Sequence, residues 1–287
     1  MSLACQSSQK HDSDTNDTTH TIDNPVQEET QEETQDAYQI TKSISYNDIE
    51  VDVLIDKPEG KHFDILLVYH GTVWYDSEIQ AAAQQTLNEF IRILGKDDLM
   101  IISVAYPEEN LLFGDNLAYA EAALLWVQNS ASQDLEIEID RVFLGGHSQG
   151  GYLVTRLNTM HETDGVIANC PGPLNLVYRC GLEENNQIQS SNQCTQLQQE
   201  YGFTTENPEP YAERSLLHFT TGHRSPIIFV QGMQDADVQL YSWPIFKEQM
   251  SQCEDCQEMR AIEIEEAGHG ALFESIAAQE QIKIFID

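Results

Sequence analysis

Gly146-His147-Ser148-Gln149-Gly150 sets a serine between glycines two positions away on either side. This is the Gly-x-Ser-x-Gly spacing, in which a sharp strand-to-helix turn with small flanking residues lifts a hydroxyl clear of the backbone. A serine hydroxyl attacks a carbonyl only if a base takes its proton, and the base needs an acid to hold it in one tautomer. Both partners are present downstream. The run Gln231-Gly-Met-Gln-Asp235-Ala-Asp237-Val238 offers two carboxylates in one turn, of which Asp235, three residues after Gly232, is the favoured acid. The run Glu265-Glu-Ala-Gly-His269-Gly supplies the base. Ser148, Asp235 and His269 follow in the chain order expected of a hydrolase elbow. His62, His161, His218 and His223 lack such placement, and His147, inside the motif, is expected to order the turn.

Acyl transfer puts negative charge on the former carbonyl oxygen, so two backbone donors should face it in advance. The Gln149 N–H, directly after the nucleophile, is one. The second is expected from the segment His70-Gly-Thr72-Val-Trp74-Tyr75, with the Thr72 N–H as the candidate. Trp74 and Tyr75 are candidates to line the pocket. No metal or organic cofactor is implied.

Such a site needs a sheet whose strands end at these loops. Ile65–Tyr69 (ILLVY) and Met100–Ala105 (MIISVA) are continuous apolar runs suited to strands buried on both faces. Ile49–Ile55 alternates and suits an edge strand. Ile79–Leu94 and Asn116–Val127 have helical spacing. Arg141–Gly145 is a strand running into the serine motif, and Gly151–Leu157 is a helix running out of it. Gly165–Ala168, Pro226–Val230 and Arg260–Ile264 complete a mostly parallel α/β sheet with helices on both faces. Over fifty residues, about 171–224, separate the sixth strand from the next, longer than an ordinary connection. They are expected to form a cap insertion shaping the pocket mouth.

These residues resemble the α/β-hydrolase superfamily from about Ile40 onward. Asp140-Arg-Val-Phe-Leu-Gly-Gly-His-Ser148-Gln-Gly-Gly-Tyr is similar to the elbow of dienelactone-hydrolase-like and prolyl-oligopeptidase-like enzymes. The stretches Pro208-Glu-Pro-Tyr211-Ala-Glu-Arg-Ser215 and Ser225-Pro-Ile-Ile-Phe-Val-Gln-Gly232, with Asp235 and Val238, look like the same branch. The resemblance implies an α/β-hydrolase fold and serine esterase or peptidase chemistry. Gln239 departs from the pattern, since a proline often follows the valine there. About forty mostly polar residues precede the sheet, so a prolyl-oligopeptidase propeller has no counterpart in this sequence.

Composition narrows the partners. The 287 residues carry 48 acidic and 14 basic side chains, a formal charge of −34, which would repel phosphate backbones and argues against nucleic acid. No apolar run reaches the roughly 18 residues of a membrane-spanning helix. Residues 1–38 read as a disordered acidic linker, with Ile22 and Val26 as the only sizeable apolar side chains between Gln6 and Asp36. Leu3-Ala4-Cys5 ahead of it looks like the end of a bacterial lipoprotein signal, which would make Cys5 a lipidated tether of an exported protein; an unstructured tail on a cytoplasmic protein is the alternative. Cys180 with Cys194 and Cys253 with Cys256 would close short loops in an oxidising compartment, leaving Cys170 free; Cys253-Glu-Asp-Cys256 also has the spacing of a redox motif or half a zinc site.

The sequence therefore leads to a catalytic domain over residues 39–287 that cleaves small carboxylic esters through an acyl-enzyme, with Ser148 attacking, His269 as base then acid, and Asp235 orienting the imidazole. A serine peptidase of prolyl-oligopeptidase type, and a catalytically silent fold used as a binding module, are the alternatives.

Overall fold

A computed structural model describes residues 36–107 and 115–287. The expected linker over residues 1–38 and the tether at Cys5 fall almost entirely outside the described residues. Eight strands form one sheet: β1 (Tyr38–Tyr46), β2 (Ile49–Lys57), β3 (His62–Tyr69), β4 (Leu99–Ala105), β5 (Glu138–His147), β6 (Gly165–Asn169), β7 (Ile227–Gly232) and β8 (Met259–Ile264). Their spatial order is β1-β2-β4-β3-β5-β6-β7-β8. β1 to β2 and β2 to β4 are antiparallel, and every other neighbour is parallel.

The first hairpin corrects the sequence reading. Ile49–Ile55 belongs to the second strand, and Tyr38–Tyr46 covers its outer edge in register from Tyr46 opposite Ile49. The turn is Asn47-Asp48, both with positive φ, 51° and 65°. A two-residue turn of that hand matches the twist of the paired strands, and asparagine and aspartate tolerate it better than most side chains.

β3 and β4 are buried almost throughout, as their unbroken apolar runs require. Two apolar layers flank the sheet. On one side the helix Ile79–Leu94 buries Ala83, Leu87 and Phe90 beside Ile282 and Ile286 of the helix Ile276–Ile286. On the other, the helices Asp115–Asn129, Gln149–Met160 and Asp237–Ser251 bury Trp126, Leu153 and Trp243. Among the described residues no helix is long and apolar enough to cross a membrane.

The segment after β6 folds into the helices Leu176–Glu184, Asn192–Tyr201 and Glu209–Ala212 and a short 3-10 turn, Leu216–His218. Its anchors Leu176, Leu197, Tyr211 and Leu216 join the second apolar layer. Cys180–Cys194 staples its first two helices, Cys253–Cys256 closes a second loop, and Cys170 is a buried free thiol.

Candidate active site

Ser148 sits where β5 gives way to the helix Gln149–Met160, with φ 56° and ψ −116°. Holding a side chain in this sparsely populated conformation costs of order 1–3 kcal/mol, and surrounding structure must impose it. Tight packing beneath the turn does so. A Cβ on Gly146 would stand 2.2 Å from the Gly150 carbonyl oxygen, and one on Gly150 would stand 2.0 Å from that of Tyr69. Both motif glycines are needed for this approach. The Ser148 N–H donates to the Asn169 carbonyl at 2.9 Å, tying the elbow to the end of β6.

The three expected side chains converge from three strand ends. Ser148 Oγ is 2.8 Å from His269 Nε2, and His269 Nδ1 is 2.8 Å from Asp235 Oδ2. Of the two carboxylates in the β7 loop the structure brings Asp235 to the imidazole, while Asp237 is exposed at the start of the helix Asp237–Ser251. Burial pushes the Asp235 pKa up, but hydrogen bonds from His269, the Ala236 N–H at 2.7 Å and Gln231 Nε2 at 3.1 Å outweigh it and leave the carboxyl below its ordinary value. The acid is buried, with 5% of its side chain exposed, whereas the base is 46% exposed.

Gln231 was not legible as a site residue, although a glutamine at the end of an apolar strand is a signal of a buried polar task. Gln239 Nε2 donates to the Pro171 carbonyl at 2.9 Å and to Gln231 Oε1 at 3.3 Å. The departure from proline at this position thus supplies a bracket for Gln231 and, through it, for Asp235.

The loop after β3 lies against the nucleophile: a Cβ on Gly71 would stand 3.3 Å from Ser148 Cβ. Thr72 Oγ1 donates to Gln149 Oε1 at 2.8 Å, locking this loop to the first residue of the helix. The Gln149 N–H is at the first helical position, where no intrahelical acceptor is available. Among the described residues neither it nor the Thr72 N–H donates to a backbone carbonyl. Behind the loop His70 stacks on Tyr106 at 4.0 Å, and the Tyr106 hydroxyl donates to the His70 carbonyl. Burial pulls the His70 pKa down to about 4.

A cavity of about 400 Å³ opens beside Ser148, lined by Val73, Ala82, Thr86, Glu89, His147 and Phe273 among others. None of its lining residues comes from 171–224; the insertion reaches the nucleophile at its start, where the Gly172 N–H donates to the Ser148 carbonyl at 3.1 Å. Trp74 and Tyr75 are exposed on the following turn and do not line it either. Cys170, Asp235 and His269 place ligand atoms within 4.8 Å of one another. His269 and Asp235 are hydrogen-bonded to each other, however, and burial pushes the Cys170 thiol up to about 11, so it stays protonated at neutral pH. The sulfurs of Cys253 and Cys256 are consumed by their mutual bond.

The strand order, the elbow after β5 and the loops after β7 and β8 together define the α/β-hydrolase fold. Comparison with solved structures agrees. The chain is similar to an acylaminoacyl peptidase of Pyrococcus horikoshii, with a TM-score of 0.60 at 13% identity over 88% of this chain. It spans only 42% of that peptidase's length. It is also similar to Est1E from Butyrivibrio proteoclasticus, TM-score 0.57 at 15% identity over 86% of this chain and 97% of that one. A structure from work on two fungal esterases from Rhizomucor miehei gives 0.61 at 14% identity over 88% and 82%. No protein-family model matches the sequence, and no curated protein matches it.

Proposed function

We propose that the protein is a serine hydrolase acting on carboxylic esters through an acyl-enzyme intermediate. The observation that carries this reading is the continuous relay from Ser148 through His269 to Asp235, both contacts 2.8 Å, beginning at a strained elbow. In it His269 Nε2 takes the Ser148 proton as Oγ attacks the ester carbonyl. The imidazolium so formed is held by Asp235, and its proton then passes to the departing alkoxide. Water repeats the sequence on the acyl-enzyme. The Gln149 and Thr72 amides receive the oxyanion in both halves.

A binding module would have no use for a strained serine aligned with a base and a buried acid. Peptidase chemistry is the second reading, favoured by the likeness to the acylaminoacyl peptidase, and it uses the same residues. A panel of p-nitrophenyl esters and peptide anilides separates the two. Esters should turn over and anilides should not, and Ser148→Ala should lower kcat for the active substrates by about three to six orders of magnitude. Anilide turnover exceeding ester turnover would move the assignment to peptidase. For the amino-terminal segment we propose a tether of an exported chain, a reading supported by the two disulfides.

A further inference from the structure

Asn169, fully buried at the end of β6, joins the nucleophile turn to the loop that carries the base. Its Oδ1 accepts the Leu272 N–H at 3.0 Å, and its Nδ2 lies 3.2 Å from His147 Nδ1. A backbone N–H can only donate, so the atom facing Leu272 is the amide oxygen and the atom facing His147 is the NH2 group. That group also only donates. His147 Nδ1 must therefore offer a lone pair, and a neutral imidazole accepting at Nδ1 carries its proton on Nε2. Burial first, then the neighbouring His269, lowers the His147 pKa to about 4, against the pull of the Asn169 carbonyl and Asp235. The ring is neutral at working pH.

With Nδ1 turned to Asn169, the opposite edge faces the loop after β3 and the cavity: Cδ2 is 3.5 Å from the position of a Gly71 Cβ, and His147 lines the cavity together with Ser148. Among the described residues Nε2 has no hydrogen-bond partner, yet it is not one of the sealed polar atoms of the interior. The ring edge that carries this donor thus borders the cavity beside the nucleophile. Glu89, on the cavity wall and paired with Arg92, together with the net charge of −34, disfavours an anionic occupant.

We propose that the His147 Nε2–H hydrogen-bonds the substrate, and that the cavity takes a neutral group bearing an acceptor oxygen, so that the preferred esters carry such an oxygen near the scissile bond. This inference rests on the serine hydrolase reading above. An aliphatic occupant would leave the donor unpaired in a confined site, and a site built to hydrogen-bond discriminates against the analogue lacking the partner.

Two isosteric ester pairs test it on the full chain, comparing kcat/KM of wild type and His147→Phe. Butyl against 2-methoxyethyl butanoate probes the alcohol side; butyl pentanoate against butyl 3-methoxypropanoate probes the acyl side. The double ratio cancels intrinsic ester reactivity. In one pair the variant should lose about tenfold or more on the ether member relative to its methylene partner, and the pair that responds identifies the part of the substrate in the cavity. Equal losses within both pairs would overturn the proposal. Nitrogen NMR of the wild-type imidazoles gives a second readout that does not depend on the variant folding: His147 should be the Nε2–H tautomer at neutral pH, and the Nδ1–H tautomer would overturn the assignment. Failure of wild type to react with a fluorophosphonate would defeat the hydrolase reading instead, leaving the tautomer result untouched.

Discussion

The segment from Pro171 to Arg224 and the short loop His70 to Val73 both leave the carboxyl ends of parallel strands, yet they serve different layers of the molecule. The longer one carries its own apolar anchors, Leu176, Leu197, Tyr211 and Leu216, and lays them on the layer formed by the helices Gln149–Met160 and Asp237–Ser251. The shorter one buries one aliphatic side chain, Val73, and the His70 ring. It contributes Gly71, Thr72 and Val73 to the cavity beside Ser148. Length did not decide which loop lines the cavity beside Ser148. A segment that can bury its own hydrophobic face settles on the sheet's helical layer, while a small, glycine-containing loop can approach a strained turn closely, as Gly71 does at Ser148.

If the division holds, changes on the catalytic side should act on turnover and changes in the insertion should act on stability. The largest expected effect is at the acid: Asp235→Asn should lower kcat by about four orders of magnitude through the wrong imidazole tautomer, and Asp237→Asn should change it less than about threefold. Steady-state ester kinetics check this, and the reverse ranking would move the acid to Asp237. Replacing Cys180 and Cys194 together by serine should cost about 2–4 kcal/mol of folding stability in denaturant titration and leave kcat within about twofold. A large loss of kcat in protein that is still folded would bring the insertion into the site.

His70 adds a pH dependence of similar size. Its pKa is about 4 in the folded chain against 6.5 as the ordinary value. Between those limits the unfolded chain binds a proton that the folded chain does not, so acidification favours unfolding. The stabilisation is complete above about pH 6.5 and is lost progressively toward about pH 4, by at most about 3 kcal/mol. Denaturant midpoints for wild type and His70→Phe across that range should differ in slope, the variant being flatter; parallel curves would contradict the burial argument. The smallest expected effect is at the cavity wall. Ala82→Leu, which fills the cavity, should reduce kcat/KM for a bulky ester by about tenfold while sparing a small one. Tyr178→Ala, in the insertion and stacked on Tyr241, should change neither more than about twofold. An equal or larger effect from Tyr178→Ala would break the division.

The convergence of Ser148, His269 and Asp235 was legible because each member stands where a run of strong signal ends. Ser148 follows the apolar strand from Arg141, and Asp235 and His269 follow β7 and β8. The outer hairpin was missed because Tyr38–Tyr46 lies at the sheet edge with Ile44 as its only fully buried position, and it therefore carries little hydrophobic pattern. Its signal was the Asn47-Asp48 pair. Asn169 and Gln231 could not be assigned from sequence, since their partners are remote in the chain and their roles arise only when three strand ends meet. The placement of the cavity was likewise illegible. Which layer an insertion covers depends on where its buried anchors land, and its length carries no information about that.

Active-site labelling addresses most directly whether Ser148 is the nucleophile of an acyl-transfer relay. The full chain is treated with a fluorophosphonate and digested, and the adduct is located by mass spectrometry while ester turnover is followed in parallel. A single adduct on Ser148, formed in step with the loss of turnover and absent from Ser148→Ala and His269→Ala, is the expected result. An adduct elsewhere, or ester turnover persisting at the wild-type rate in Ser148→Ala, would contradict it.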